Sequence, residues 1–282
     1  MTSIEQLANV FHMCDLLGMS FDVPINARIS LDVFQQQGKE NPDGWGVVYY
    51  QNNLLHLVKE PSPATNSTLF DFIENSTISR TYLCHVRRTT MGIRSYLNTH
   101  PFYRKLHLES QRQEWAFAHN GTLETIEKIN PGRHIPLGET DSEKAFCYIL
   151  DWIEENDILT WNNNSFSSLN ALLREINDKT NTFNCLFTNG NYLFCYSDEN
   201  RYNDGLRFTK QASPFEKTDL VREDERLGSV EVREPSEKES SKTSGYLIVT
   251  EKLTDANWIE FKTGELVVFN NGRIVFPSNR LD

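Results

Sequence analysis

Several features that define large classes of protein are missing from this 282-residue sequence. It has no cysteine pair at C-x-x-C spacing, and its five cysteines are odd in number and widely separated. That pattern argues against a disulfide framework or a structural zinc site. No apolar run approaches the ~20 residues of a membrane-spanning helix. Residues 1–12 have neither the basic start nor the apolar stretch of a secretory signal. We therefore expect no association with a membrane.

Positive charge and nucleotide-binding motifs are also scarce. The chain carries 28 Lys and Arg against 39 Asp and Glu, a formal net charge of −11. Phosphate backbones repel such a surface, so we expect no nucleic-acid partner. The chain lacks a G-x-x-x-x-G-K-[ST] loop and a dinucleotide fingerprint, and its His and Cys residues lack metal-ligand spacing. We expect neither cofactor nor metal, and the unpaired thiols suit a reducing cytoplasm.

Alternating apolar residues predict β-strands over much of the chain. Asn189-Gly190 and Asn271-Gly272 each separate two such runs, which is a strong hairpin signal. Residues 45–50 and 54–59 predict a third hairpin. Residues 114–119 predict a strand that ends at Asn120-Gly121, a pair that locally favours a turn.

Two helices are predicted between these strands. Thr140 and Glu143 have the spacing of a capping box, and apolar residues then recur at helical spacing. Residues 168–176 predict the second helix. Residues 217–244, rich in Glu, Lys, Arg and Ser, predict a solvated or partly disordered loop. Strands on both sides of a helix pair indicate an α+β layered fold, and the absence of a repeat or linker favours one domain.

Cys14, which follows Met13, is the first residue that can carry chemistry. If translation starts at Met13 and that Met is removed, Cys14 gains an α-amine with a pKa of about 7.7–8.0. This amine can take the thiol proton at neutral pH, so that one residue supplies both nucleophile and base. The alternative is a cysteine at a strand start that only packs.

Two further motifs lie at predicted strand ends. In the run Asp43-Gly44-Trp45-Gly46, the two glycines can let another backbone approach closely, or they form a turn that enters the strand. His85 and Arg87 share one face of a strand. An arginine in that place can bind a carboxylate through two parallel hydrogen bonds, or it is a surface cation.

Two more candidates follow later in the chain. The Asn120 side-chain amide beside the Gly121 N–H offers two donors to an oxyanion, unless the pair only makes a turn. Asp141 falls in the first turn of the predicted helix, where the helix dipole stabilises a carboxylate. It can bind a substrate ammonium group, or it only caps the helix.

In their order along the chain, these motifs resemble the class II glutamine amidotransferase family. The first eight residues from Met13, Met-Cys-Asp-Leu-Leu-Gly-Met-Ser, are similar to the start of its small stand-alone members. His-x-Arg-x-x-Thr, His-Asn-Gly and Gly-Glu-Thr-Asp-Ser-Glu then follow in the family's order. The resemblance spans residues 13 to about 276. It implies an α+β fold, a four-layer αββα sandwich of the N-terminal-nucleophile hydrolase type.

The resemblance also implies a role for each candidate residue. Cys14 would attack the side-chain amide carbon of glutamine and form a γ-glutamyl thioester, with its own α-amine as base. Asn120 and the Gly121 N–H would hold the oxyanion. The residues implied to bind the glutamine end are Arg87 for the α-carboxylate, Asp141 for the α-ammonium group, and Thr90.

The chain departs from the family pattern in two places. Larger members carry Trp-Ala-Thr-His after the binding arginine, whereas this chain reads Arg88-Thr89-Thr90-Met91. The His is missing, so its role in closing the site does not carry over, while glutamine binding is expected to survive. Residues 1–13 would block the amine of Cys14. They are expected to be a mis-assigned start or a removed extension, leaving residues 14–282 as one amidotransferase domain.

The expected reaction is hydrolysis of the γ-glutamyl amide bond in glutamine or another small γ-glutamyl compound. One alternative is a glutaminase subunit that passes ammonia to a separate synthase. Another is an inactive γ-glutamyl-binding protein, if residues 1–13 are retained. A synthase or a peptidase subunit is the candidate protein partner.

Overall fold

β-Strands are the main regular structure of the described chain. The computed structural model describes residues 14–29, 41–89, 92–108, 111–129, 132–212, 218–222, 225–233, 243–250 and 257–280. The strands described there are β1 (Asp15–Ile29), β2 (Gly44–Gln51), β3 (Leu54–Glu60), β4 (Ser79–Arg87), β5 (Phe102–Leu108), β6 (Gln111–Thr122), β7 (Thr182–Thr188), β8 (Tyr192–Tyr196), β9 (Arg207–Ala212), β10 (Thr218–Arg222), β11 (Glu225–Arg233), β12 (Ser244–Val249), β13 (Ile259–Glu260), β14 (Leu266–Asn270) and β15 (Arg273–Phe276). The α-helices described are α1 (Leu69–Ser76), α2 (Asp141–Glu155) and α3 (Asn163–Ile176).

The strands form two antiparallel sheets. Sheet 1 has the order β13-β9-β12-β1-β4-β2-β3, with β11 also pairing with β1, and β10 with β11. Sheet 2 has the order β15-β14-β8-β7-β6-β5. In sheet 1, β1 lies between β4, where Asp15 is opposite Val86, and β12, where Leu17 is opposite Val249. The start of β1 is thus enclosed by a strand on each side.

Three apolar cores separate four layers. Because side chains alternate along a strand, Trp115 and Phe117 of β6 pack with α2 and α3, whereas Ala116 and Ala118 face sheet 1. On the outer face of sheet 1, Ile73 of α1 packs with residues of β1, β2 and β4. The predicted α+β fold with αββα layers is confirmed. None of the helices described is long and apolar enough to cross a membrane.

The three predicted hairpins are confirmed as β2–β3, β7–β8 and β14–β15. The predicted end of a strand at Asn120-Gly121 is wrong. The strand β6 continues to Thr122, with Asn120 opposite Asn184 of β7. Gly121 has φ 151°, and a Cβ atom there would lie 2.1 Å from the Thr182 carbonyl oxygen. Close packing between the strands therefore explains this glycine better than a turn does.

The predicted loop over residues 217–244 is wrong in part. Within it, β10 and β11 pair with each other, and β11 pairs with the end of β1. Backbone pairing with an existing strand satisfies the peptide groups of a segment whose side chains are mainly polar. The rest of that range, apart from its last residues 243–244, lies outside the described residues.

The start of α2 confirms half of the predicted capping box. The Thr140 hydroxyl accepts the Glu143 N–H at 3.2 Å. The Glu143 carboxylate, however, accepts bonds from Arg104 at 2.5 Å and from the Gly138 N–H at 2.6 Å. The Glu143 carboxylate, which would have bonded back to the Thr140 N–H to complete the capping box, is instead paired with Arg104. The helix α3 begins at Asn163, before the predicted start at residue 168, and Asn162 is its N-cap residue.

Candidate active site

Cys14 lies where β1 begins, next to the end of β4. Its side chain is buried, with 8% of the residue exposed. The Sγ atom accepts a hydrogen bond from the Arg88 N–H at 3.0 Å and donates one to the Arg88 carbonyl at 3.2 Å. The backbone of Cys14 has φ 37°, a left-handed value that is uncommon for a residue with a side chain. The sulfur therefore has a fixed position in a strained backbone.

Burial controls the acidity of this thiol. Desolvation raises the pKa of Cys14 to about 12, with a further increase from Asp15, while the Arg88 backbone and the Arg87 charge lower it. The thiolate is the reactive form of cysteine. At neutral pH it is scarce here, so attack by Cys14 requires a base that removes the proton as the reaction proceeds.

Asn120 contacts the backbone of Cys14. Its side-chain amide donates to the Cys14 carbonyl oxygen, and the whole residue is buried. Its Oδ1 atom is buried without a hydrogen-bond partner among the described residues. An amide nitrogen carries two hydrogens, so a second N–H remains available to another acceptor. The next residue, Gly121, lines the same cavity as Cys14. This placement fits an oxyanion site.

A cavity beside the sulfur brings together several of the predicted residues. It is lined by Cys14, Arg87, Arg88, His100, His119, Gly121, Thr140, Asp141 and Ser142. The buried Arg87 interacts electrostatically with Cys14, Asp43 and Asp141. The cavity therefore has a cation and an anion beside one thiol.

Asp141 is positioned as the first residue of α2. Its Oδ2 atom accepts the Leu123 N–H at 2.7 Å. Its Oδ1 atom accepts the Ser142 N–H at 2.8 Å and the Ser142 hydroxyl at 3.2 Å. A carboxylate offers about four lone-pair sites, so the bound carboxylate can still accept from an ammonium group.

Asp43 is a residue near the site whose role the sequence did not reveal. Its carboxylate accepts the Thr89 N–H at 2.8 Å, and its own N–H donates to the Arg87 carbonyl at 3.1 Å. These bonds fix the backbone on both sides of Arg88. The backbone N–H and carbonyl of Arg88 in turn bond to the Cys14 sulfur. Thr90, the third residue predicted to bind the glutamine end, lies outside the described residues.

Both interpretations of the glycines after Asp43 hold, because a turn at residues 42–43 enters the strand β2 and the glycines let another segment approach closely. A Cβ atom on Gly46 would lie 2.4 Å from the His100 carbonyl oxygen, and one on Gly44 would lie 2.9 Å from Thr99. Lys59 holds the loop at residues 99–101, because its ammonium group donates to the Thr99 carbonyl at 2.6 Å and to the Pro101 carbonyl at 3.3 Å. Burial lowers the pKa of Lys59 to about 8. This loop supplies one wall of the cavity.

Three histidines that are distant in sequence lie close together beside this wall. The rings of His85 and His100 have centroids 4.3 Å apart. Burial lowers the pKa of His85 to about 3 and that of His100 well below its usual value. His119 bonds through Nδ1 to the Ser142 hydroxyl at 2.9 Å and through Nε2 to the Thr182 carbonyl at 3.0 Å. Hydrogen bonding thus accounts for the His119 ring, whereas the His85 and His100 rings are held by packing and their nitrogens complete no well-aligned hydrogen bond among the described residues.

A different cluster has the side chains for a metal. His134, Asp151 and Glu154 have ligand atoms within 4.8 Å of one another. However, the Asp151 carboxylate already accepts three backbone N–H groups, from residues 132 to 134, and the His134 ring. Those bonds use its lone pairs to stabilise the chain before α2, so the cluster is explained without a metal.

The family described as glutamine amidotransferases class-II matches residues 13–280. The chain therefore belongs to this family. It is 30% identical over 270 residues to YafJ of Escherichia coli K12, which is provisionally named a glutamine amidotransferase; the match covers 93% of this chain and 100% of YafJ.

Two other relatives add structural and chemical context. The crystal structure of a predicted glutamine amidotransferase from Pseudomonas aeruginosa PA01 superposes with a TM-score of 0.69 at 29% identity, covering 93% of this chain and 99% of that one. This confirms the N-terminal-nucleophile type of αββα fold. A shorter match, 28% identical over 90 residues, is to the γ-glutamyl-hercynylcysteine sulfoxide hydrolase of Mycobacterium tuberculosis, covering 32% of this chain and 36% of that protein.

Proposed function

We propose that the protein hydrolyses the γ-glutamyl amide bond of glutamine or of a small γ-glutamyl compound, with Cys14 as nucleophile. The observation that carries this proposal is the set of residues gathered around the Cys14 sulfur. It joins the Cys14 sulfur, the Arg87 cation and the Asp141 carboxylate. A γ-glutamyl group carries an α-carboxylate and an α-ammonium group at one end and the reacting carbonyl at the other. The cavity residues match these three groups.

The proposed reaction has two halves. The α-amine of Cys14 takes the thiol proton while Sγ bonds to the amide carbon, and Asn120 and the Gly121 N–H stabilise the oxyanion. The C–N bond then breaks, the leaving nitrogen takes the proton from the Cys14 ammonium group, and a γ-glutamyl thioester remains. Water attacks the thioester carbon while the amine takes a proton from it; the C–S bond then breaks, the sulfur takes that proton back from the ammonium group, and glutamate is released. Thr90 remains a proposed contact to the glutamine end.

This chemistry requires Cys14 to be the first residue of the active form. A peptide bond to Met13 removes the basicity of the nitrogen, and a buried thiol with a pKa of about 12 needs a local base. One observation supports removal of residues 1–13: the family match begins at residue 13. We propose Met13 as the start, with that Met removed, and residues 14–282 as one amidotransferase domain.

The first test compares the chain from Met1 with a form translated from Met13. We expect glutamate release from glutamine or γ-glutamyl amides only when mass spectrometry shows Cys14 as the first residue. The rate is expected to increase with pH through about 7.7–8.0, as the α-amine loses its proton. Equal turnover by a chain that verifiably retains residues 1–13 would contradict the proposed base.

The identity of the leaving group distinguishes two functions: hydrolysis of a γ-glutamyl compound, and supply of ammonia from glutamine to a synthase. We favour hydrolysis, because the mycobacterial relative is named for hydrolysis of a γ-glutamyl compound. A panel of γ-glutamyl amides, assayed with the Cys14-first form alone, is expected to include at least one amine-releasing substrate. Turnover of glutamine alone, and only when a synthase is added, would instead favour a glutaminase subunit. A reducing cytoplasm is the proposed location, since the nucleophile must remain a thiol.

Arg87→Lys tests the proposed binding of the substrate α-carboxylate. A lysine keeps the charge but loses the paired hydrogen bonds of the guanidinium group. We expect KM for glutamine to increase about tenfold with a smaller change in kcat. The matched control is Arg174→Lys, at an exposed ion pair with Glu199, for which we expect the parent KM. An unchanged KM in Arg87→Lys would contradict the proposed contact.

A further inference from the structure

Arg87 and Asp141, the two residues of the proposed clamp for the glutamyl end, lie on one flank of Cys14. In sheet 1, β4 and Arg87 are on that side of β1, and in sheet 2 the clamp residue Asp141 bonds to Leu123, just beyond β6. On the other flank, β12 and β9 follow β1 in sheet 1, and β7 follows β6 in sheet 2. If the clamp holds the glutamyl end on the first flank, as the proposed function requires, the leaving group extends toward the second.

Tyr202 is held on this second flank, just before β9. Its N–H donates to the buried Asp198 carboxylate at 3.0 Å, and its carbonyl accepts the Asn184 side-chain amide at 2.9 Å. Asn184 lies directly opposite Asn120 in the β6–β7 pair. The position of Tyr202 is thus tied to the strand beside the proposed oxyanion residue.

The backbone around Tyr202 is strained. Arg201, Asn203 and Asp204 have φ values of 59°, 48° and 57°. Gly205 follows with φ 77°, and a Cβ atom there would lie 2.4 Å from the Ser197 hydroxyl. Such left-handed backbone is uncommon in residues with side chains and is concentrated at functional sites. The Tyr202 side chain that this backbone carries is close enough to Cys14 to interact with it electrostatically.

The Tyr202 hydroxyl has unused hydrogen-bonding capacity. It is buried and completes no well-aligned hydrogen bond among the described residues, although the Asn203 side chain is near enough to lower its pKa. Burial first, and then the nearby Cys14 thiol, raise the pKa of Tyr202 to about 12. A neutral phenol can accept one hydrogen bond and donate another. A buried hydroxyl without such a bond is costly, and a ligand is one way to supply it.

We propose that Tyr202 is a catalytic residue on the leaving-group side, whose hydroxyl oxygen accepts an N–H of the leaving amine as the C–N bond breaks. The phenol carries no proton to the amine in this step; that proton comes from the Cys14 ammonium group. The inference rests on the proposed function and extends it. It assigns the departing amine to the flank formed by the residues before β9 and by the end of β12.

The test uses Tyr202→Phe in the Cys14-first form, which removes the hydroxyl and keeps the ring. We expect kcat/KM for γ-glutamyl amides to fall roughly five- to tenfold, the effect of one lost hydrogen bond. A glutamine analogue that has a diazoketone in place of the amide contains no leaving amine. We therefore expect Tyr202→Phe and the parent to be alkylated at Cys14 at equal rates. Tyr192→Phe, at the far end of β8 from the site, is the matched control and should retain parent activity.

Three other outcomes distinguish the inference from its premise. Unchanged hydrolysis in Tyr202→Phe overturns the role of Tyr202 and leaves the proposed function intact. An equal loss of hydrolysis and alkylation also overturns it, because it indicates a structural effect on Cys14. A parent that neither hydrolyses γ-glutamyl amides nor is alkylated overturns the proposed function, and the Tyr202 role with it.

Discussion

Replacement of Cys14 by alanine or serine is expected to reduce glutamate release by at least about 10⁴-fold, because the covalent step loses its nucleophile. Serine preserves the size of the side chain and its bonding to the Arg88 backbone, but an alcohol is a far weaker acid than a thiol. Its proton would leave even less readily in a site that already raises the pKa of the thiol. The measurement is glutamate formation by the Cys14-first form under excess substrate.

Cys195→Ala is the matched control for this loss. Cys195 is also a buried thiol, but it packs between the two sheets with Leu186 and Val267 and away from the cavity. We expect this variant to keep parent turnover and to unfold at a slightly lower temperature. Equal losses in the Cys14 and Cys195 variants would indicate damage to the fold. Undiminished turnover without the Cys14 sulfur would refute the thioester mechanism.

The second large effect is expected for Asn120→Ala. Loss of one oxyanion donor reduces kcat by about 10²–10³, and the effect should appear in kcat much more than in KM. The substitution also removes the donor to the Cys14 carbonyl. A thermal melt therefore accompanies the kinetics, and a variant that melts close to the parent assigns the loss to chemistry.

Asn189→Ala controls for the loss of a structural asparagine. Its side chain accepts the N–H groups of Asn191 and Tyr192 in the β7–β8 turn, so its loss costs stability without touching the cavity. We expect parent kcat for this variant. If Asn120→Ala changed only KM, Asn120 would be a binding or packing residue, and the oxyanion role would pass to other donors.

Local chemistry made much of the fold predictable. The two Asn-Gly turns and the alternating strands required only nearby residues, and all three hairpins are confirmed. The family was predictable because five motifs occur in one order, although each motif alone had an ordinary structural explanation. Residues such as Arg87 and Asp141 were recognisable through that order, and the fold then places them around one cavity.

The wrong predictions have one cause, which is contact between residues that are distant in sequence and that local patterns do not reveal. Asn120-Gly121 suggests a turn only when the neighbouring strand β7 is ignored. The polar segment with β10 and β11 gains its pairing from β1, which is about 200 residues earlier in the chain. The Glu143 carboxylate is taken by Arg104, a partner that no local pattern indicates. Tyr202 lies in no sequence motif, and only its hydrogen bond with Asn184 in the fold draws attention to it.

The division of the site between two flanks has a consequence for engineering. The proposed clamp for the glutamyl end comes from β4 and α2, whereas the proposed amine side comes from the turn before β9 and the end of β12. These segments are separate in sequence and join different strands. Exchange of the Arg201–Asp204 turn between relatives should therefore alter which amine is released while the acyl preference stays constant, so that new substrates are reached by grafting a short segment.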